Sequence, residues 1–303
     1  MIKKISVIGA GTMGHSIASA FALYGYSVNL FDTYDEQLKK VKGMMEKEML
    51  ELVEGQLFDE AQVKKALDNV TLFDNLEAAT KDSDYVIEAI PEKIELKREL
   101  FANLDKFTPK HAILATNTSS LNLEDMMVAV SDERKKNMIV NHWYNPGLLM
   151  PLVELSYFGN MPEDIYKEVE VLYKSIKKQT VKVLKSVPGL VANRIQQGVA
   201  REVFSLIEQG IADPAEIDKA LKFGPAFRYA TTGQLEVADM GGLDIWCIVG
   251  DNLLKEMDNS TCSNQILREK VEEGKLGIKS GEGFYDYSES KKAEKISKQF
   301  ILS

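Results

Sequence analysis

Residues 5–32, I-S-V-I-G-A-G-T-M-G-H-S-I-A-S-A-F-A-L-Y-G-Y-S-V-N-L-F-D, decide the fold. Ile5 to Ile8 is a short β-rich run, and Ser27 to Asp32 is a second. Between them Ile17, Ala18, Phe21 and Ala22 recur at helical spacing, so the stretch reads strand, glycine turn, helix, strand. Working outward, Val70 to Phe73, Tyr85 to Ile90, Ala112 to Thr116 and Met138 to Trp143 supply further strands, with a helix over Glu92 to Phe107. Strands that alternate with helices predict a parallel sheet covered on both faces. Pro151 to Phe158 and Thr180 to Leu184 read as added strands around a helix near Glu163 to Lys177.

After Pro188-Gly189 the texture changes. Val191 to Ile211, Pro214 to Leu221, Leu235 to Met257 and Cys262 to Gly274 are helical in pattern, with no strand among them. The expected architecture is α/β: a Rossmann-like doubly wound sheet over 1–187, then an all-α domain over 188–303, divided at the Pro-Gly pair. Two domains fit 303 residues at about 150 residues each. Residues 288–298 form a charged tail, read as solvated.

Gly9-Ala10-Gly11-Thr12-Met13-Gly14 follows the first strand and opens the first helix. The first glycine permits a tight turn, the second lets backbone amides approach a pyrophosphate, and the third lets helix pack on strand. The helix N-terminus then offers its unpaired N–H groups to the phosphates. Asp32 ends the second strand, where a carboxylate accepts hydrogen bonds from an adenosine ribose. Thr33 and Tyr34 follow, with no arginine to pair a 2′-phosphate, which favours NAD over NADP. FAD uses the same fingerprint and stands as the alternative.

Composition narrows the rest. The 46 acidic and 37 basic residues give a net charge of −9, a poor match for nucleic acid or an anionic membrane face. No run of roughly 18 apolar residues predicts a membrane span. Cys247 and Cys262 read as two thiols in a reducing cytoplasm, and no His or Cys pair has the spacing of a metal site. The three histidines are His15, in the first turn after the glycine loop, His111, in a turn, and His142. Only His142 ends an apolar strand, near the C-terminal sheet edge where α/β sites lie. A dehydrogenase needs a base for the hydroxyl proton, and His142 is the candidate. Glu154, in Leu152-Val153-Glu154-Leu155, needs a partner in that apolar setting, and an imidazole would serve.

Seven stretches together carry a resemblance: G-A-G-T-M-G with Asp32, Y-V-I-E-A-I-P-E ending at Glu92, A-T-N-T-S-S-L over 115–121, H-W-Y-N-P over 142–146, L-V-E over 152–154, V-P-G-L-V-A-N-R over 187–194, and G-E-G-F-Y-D-Y over 281–287. In this order they resemble the 3-hydroxyacyl-CoA dehydrogenase family over almost the whole chain. The resemblance implies an NAD-dependent oxidation of a short-chain L-3-hydroxyacyl-CoA, of the 3-hydroxybutyryl-CoA kind, in fatty acid metabolism. His142 would be base in oxidation and acid in reduction, with Glu154 holding its ring. Ser119 and Asn193 would hydrogen-bond the substrate oxygen. Glu92, Lys97 and Asn117 would contact the nicotinamide half of NAD, and Lys279 would be a further cofactor contact. It also implies a homodimer paired through the helical domains, which the two thiols would place in the cytoplasm.

Three features depart from that pattern. Trp143 and Tyr144 replace the family's two phenylalanines, which is expected to alter the wall near the substrate. The excursion after the second strand carries Glu54 and Gln56 where lysines would help to hold coenzyme A, leaving Lys47, Lys64 and Lys65 nearby. Phe223 to Ala230, with Val183 to Lys185 and Gln196, is similar to the lambda-crystallin and L-gulonate dehydrogenase branch, which oxidises free hydroxy acids. Arg228 would then either grip a substrate carboxylate or form an interface ion pair. A nucleotide-binding protein without turnover is the third class, but it has no need of His142, Glu154, Ser119 and Asn193 together.

Overall fold

The computed structural model describes residues 2–288. The tail expected over 288–298 lies outside them except for Ser288. The chain divides into two compact units, the first running to Val191 and the second beginning at Ala192.

In the first unit β1 (Lys4–Ile8), α1 (Thr12–Leu23) and β2 (Ser27–Phe31) form the expected strand-helix-strand. Two helices follow, α2 (Asp35–Glu54) and α3 (Glu60–Asp68), before β3 (Val70–Phe73). Then come α4 (Leu76–Thr80), β4 (Tyr85–Glu88), α5 (Ile94–Phe107), β5 (Ile113–Thr116), α6 (Leu123–Met127), α7 (Asp132–Lys135) and β6 (Met138–Trp143). The unit closes with β7 (Leu152–Ser156), α8 (Glu163–Ser175) and β8 (Gln179–Val183). The strands make one sheet in the order β3-β2-β1-β4-β5-β6-β7-β8. All neighbours are parallel except β6 and β7, which run antiparallel. The order reverses between β1 and β4, and in such sheets ligands bind in the crevice outside the carboxyl ends of the strands at that switch.

Successive side chains of each strand feed opposite faces. Val7, Leu30, Ile87 and Trp143 join one core beneath α1 and α8, while Ile8, Phe31, Val86 and Val140 join the core beneath α5 and α6. Burial on both faces explains why these strands read as near-continuous apolar runs. It also corrects the expectation for Trp143. Its ring is 2% exposed and meets Phe21 and Tyr173 edge-on at 5.7 and 5.6 Å, so it fills the core and forms no substrate wall.

The second unit is helical: α9 (Ala192–Glu208), α10 (Pro214–Phe223), α11 (Pro225–Tyr229), α12 (Gln234–Gly241), α13 (Leu243–Leu253) and α14 (Gln265–Glu272). The single helix expected over Leu235 to Met257 is divided at Gly242, whose φ of 87° lies in the left-handed region and cannot continue a right-handed helix.

Candidate active site

The glycine loop is built as its sequence requires. Gly9 has φ 101°, and a Cβ there would stand 2.7 Å from the carbonyl oxygen of Ala89 at the end of β4. A Cβ on Gly14 would overlap the carbonyl oxygen of Gly9 at 1.7 Å, so α1 can approach β1 only with glycine there. At Gly11 the same test meets nothing within 4 Å, leaving open space for a ligand's phosphates against the backbone. Gly11 caps α1 without a side-chain partner, so the first amides, at Thr12 and Met13, are not consumed by a cap. Gly9, Gly11, Met13, Asp32 and Asn117 line a cavity of about 610 Å³. Asp32 braces its rim: Oδ2 accepts the Ala10 amide at 2.8 Å and Oδ1 accepts the Tyr34 amide at 2.9 Å. The open glycine backbone and the carboxylate at the end of β2 fit a dinucleotide.

One strand-end further along the sheet lies a buried charge cluster. Glu88 ends β4 with no exposure, and its carboxylate accepts from Lys97 Nζ at 2.8 Å to both oxygens. Thr116 Oγ1 also donates to it. Burial raises the Glu88 pKa, with Lys97 and Thr116 opposing the rise. Lys97, itself 1% exposed, meets Glu92 Oε2 at 3.0 Å. The other oxygen of Glu92 gathers the segment after β5: it accepts from Thr118 Oγ1, the amides of Ser119 and Ser120 at 3.1 and 3.2 Å, and Ser120 Oγ at 3.0 Å. Partial burial works against the Glu92 charge, but the Thr118 hydroxyl and the Lys97 ammonium outweigh it and hold the carboxyl at about 2. Lys97 thus stands between two carboxylates, and Glu92 fixes the backbone that carries Ser119.

His142 and Glu154 are directly opposite each other in the β6–β7 ladder. His142 Nδ1 lies 2.9 Å from Glu154 Oε2. Both side chains are buried, and Glu154 Oε1 accepts the Val191 amide at 2.8 Å. A carboxylate at Nδ1 assigns the ring proton there and leaves Nε2 as the free acceptor. The ring of Tyr144 stands edge-on to His142 at 6.1 Å. Asn117 joins the two regions, since it lines the cavity and its Oδ1 accepts the Trp143 amide at 2.9 Å.

Both domain models of one family match the chain: the 3-hydroxyacyl-CoA dehydrogenase NAD binding domain over residues 4–187 and the C-terminal domain over residues 189–287. The chain belongs to the 3-hydroxyacyl-CoA dehydrogenase family. It is an NAD-dependent oxidoreductase by that membership, with NAD as cofactor. A 3-hydroxybutyryl-CoA dehydrogenase of Clostridioides difficile is 34% identical, over 94% of this chain and 99% of its own. The 5-formyl-3-hydroxy-2-methylpyridine 4-carboxylate 5-dehydrogenase of Mesorhizobium japonicum is 30% identical, over 95% of this chain and 92% of its own. A solved structure of such a pyridine-carboxylate dehydrogenase, described as an NAD⁺-dependent dismutase, superposes with a TM-score of 0.86 at 28% identity, covering 99% of this chain and 97% of that one.

Within this 3-hydroxyacyl-CoA dehydrogenase family member, Ser119, Glu92, Lys97, Asn117, His142 and Glu154 all lie in the first unit. Asn193 stands in the first turn of α9, Arg228 is exposed on α11, and Lys279 is exposed before the closing G-E-G-F-Y segment; all three belong to the second unit. Glu88 and Thr116 are not among the site residues expected from the sequence. A carboxylate closing a strand otherwise made of Tyr85, Val86 and Ile87 was the available signal, since such a group must find a cation.

Proposed function

We propose that the protein oxidises short-chain L-3-hydroxyacyl-CoA, such as 3-hydroxybutyryl-CoA, and catalyses the reverse reduction. The observation that carries this reading is the buried His142–Glu154 pair, with the ring's second nitrogen left to act. NAD, when bound, supplies the hydride acceptor. His142 Nε2 takes the proton of the substrate 3-hydroxyl and returns it in the reverse direction. Glu154 fixes the tautomer and stabilises the imidazolium that forms. Ser119, held through its amide by Glu92, and Asn193 donate to the substrate oxygen. The glycine loop with Thr12 and Met13 receives the pyrophosphate, Asp32 the adenosine ribose, and Asn117 the nicotinamide side. Glu92 and Lys97 act on that half by fixing its floor, and Lys279 is a further cofactor contact.

The carboxylate-bearing substrate named for the Mesorhizobium relative favours a second reading, a free hydroxy or oxo acid held by Arg228. The acidic second half of α2, with Glu46, Glu48, Glu51 and Glu54 against Lys47, points the same way, because it offers little to a polyanionic ester. NADH oxidation measured with acetoacetyl-CoA and with acetoacetate separates the two. Turnover of the thioester supports the first reading, and turnover of the free acid alone replaces it with the second.

The same proposal includes a homodimer in the cytoplasm. Phe227, Leu235, Met240 and Leu243 of the second unit are each more than half exposed, an apolar surface of the kind that protein contacts cover. Light scattering behind a sizing column tests it, and a monomer at micromolar concentration refutes it. Among the described residues no helix is long and apolar enough to cross a membrane.

A further inference from the structure

Outside the site just described, one buried polar cluster is used by nothing in the proposed reaction. Lys178 precedes β8, is 6% exposed, and donates its ammonium hydrogens to three backbone carbonyls: Gly147 at 2.7 Å, Leu148 at 3.2 Å and Met150 at 2.7 Å. Those carbonyls belong to the connection between β6 and β7, the two strands that carry His142 and Glu154. The same ammonium lies 4.9 Å from the centre of the Trp143 ring, next in sequence to His142. Burial lowers the Lys178 pKa to about 8, and the charge of Glu48 opposes that fall.

The connection is also tied to the cofactor helix. The Leu148 amide donates to Ser16 Oγ at 2.7 Å, and Ser16 Oγ donates to Glu48 Oε1 at 2.6 Å. His15 stands between Glu48 Oε2, 3.5 Å from its Nε2, and the carbonyl of Gly11, 2.7 Å from its Nδ1. Gly147 leaves no room for a looser fit, since a Cβ there would come within 3.0 Å of Ser16 Oγ. A neutral surface loop of this length would need none of these partners. An ammonium group with three carbonyls around it fixes the loop's curvature, and a buried lysine is retained at a desolvation cost that only such partners offset.

We infer that Lys178 is a positioning residue for the His142–Glu154 pair, and that Ser16 and Glu48 lock the segment it shapes onto the helix that begins at the glycine loop. Lys178 sets the geometry of the turn between the two strands whose cross-strand register brings His142 and Glu154 together. The inference rests on the reading of His142 as the base.

The test is Lys178→Met, which keeps the stem and removes the charge. Three readouts are taken: NADH-linked reduction of acetoacetyl-CoA, NADH affinity by fluorescence, and the Cε1–H signal of His142 in protein labelled at histidine. The expected result is a kcat lower by roughly 10- to 100-fold, the scale of a small misplacement of a catalytic group. NADH affinity should hold within about threefold, and the His142 signal should be displaced while that of His111 stays in place. An unchanged kcat with an unmoved His142 signal, even with a lower melting midpoint, overturns the inference and makes Lys178 structural only. If the wild-type protein does not turn over acetoacetyl-CoA, the proposed substrate fails, and the His142 signal alone decides the role of Lys178. If Lys178→Met does not fold, Ser16→Ala is read by the same measurements with the same criteria.

Discussion

Lys97 and Glu92 meet at 3.0 Å, and Glu88 holds the same ammonium from its other side at 2.8 Å. This places a lysine that the sequence suggests as a cofactor contact inside a buried triad at the end of β4. Lys97→Met leaves Glu88 buried without its cation, which typically costs about 3–5 kcal/mol. Urea denaturation should show a loss of that size at pH 8. The deficit should shrink toward pH 5, because an unpaired, buried Glu88 binds a proton more tightly in the folded state than in the unfolded chain. A deficit independent of pH would show that Glu88 does not carry the uncompensated charge.

Glu92 gives the opposite sign. Its pKa is depressed to about 2, so its contribution to stability is present above the unfolded value near 4.5 and is lost as pH falls toward 2. The stability gap between the wild-type protein and Glu92→Gln should therefore close over that window. Glu92→Ala, which removes the acceptor altogether, should also reduce kcat, through the released amide of Ser119. A gap that stays constant from pH 5 to pH 2 would contradict the assignment.

The proposed preference for NAD over NADP rests on Asp32. Its carboxylate, braced by the amides of Ala10 and Tyr34, would face a 2′-phosphate as one anion against another. A like-charge contact of this kind costs several kcal/mol, so NADH should exceed NADPH in kcat/KM by roughly 100-fold or more. Asp32→Ala should narrow that ratio, and equal use of both dinucleotides by the wild-type protein would refute the reading.

Glu154→Gln retains a carbonyl oxygen that can accept from His142 Nδ1 but loses the charge that stabilises the imidazolium. Turnover should fall roughly 10- to 100-fold, as for other partners that orient a histidine. A variant with wild-type kcat would reduce Glu154 to a packing residue.

Much of this was legible in the sequence for a physical reason. The glycine loop and Asp32 are local, since turn, helix start and strand end lie within one strand-helix-strand unit. The His142–Glu154 pair was also within reach, because each residue is polar in an apolar strand and each needs a partner. Trp143 was misread by overlooking alternation: neighbours on a strand point to opposite faces, so a tryptophan next to a site-facing histidine belongs to the other core. The Lys97 triad depends on β4, α5 and β5 meeting in space, and no spacing along the chain announces it. The same holds for Lys178, whose partners lie about thirty residues away and are backbone carbonyls, which leave no trace in side-chain pattern. The break at Gly242 was signalled only by a Gly-Gly pair inside a helical pattern.

The most direct test of the central claim is His142→Ala, assayed for NADH-dependent reduction of acetoacetyl-CoA alongside NADH affinity. The expected result is a fall in kcat of roughly 10²–10⁴-fold, the usual share of an acid–base group, with NADH binding unchanged. A variant that retains near-wild-type kcat would contradict it.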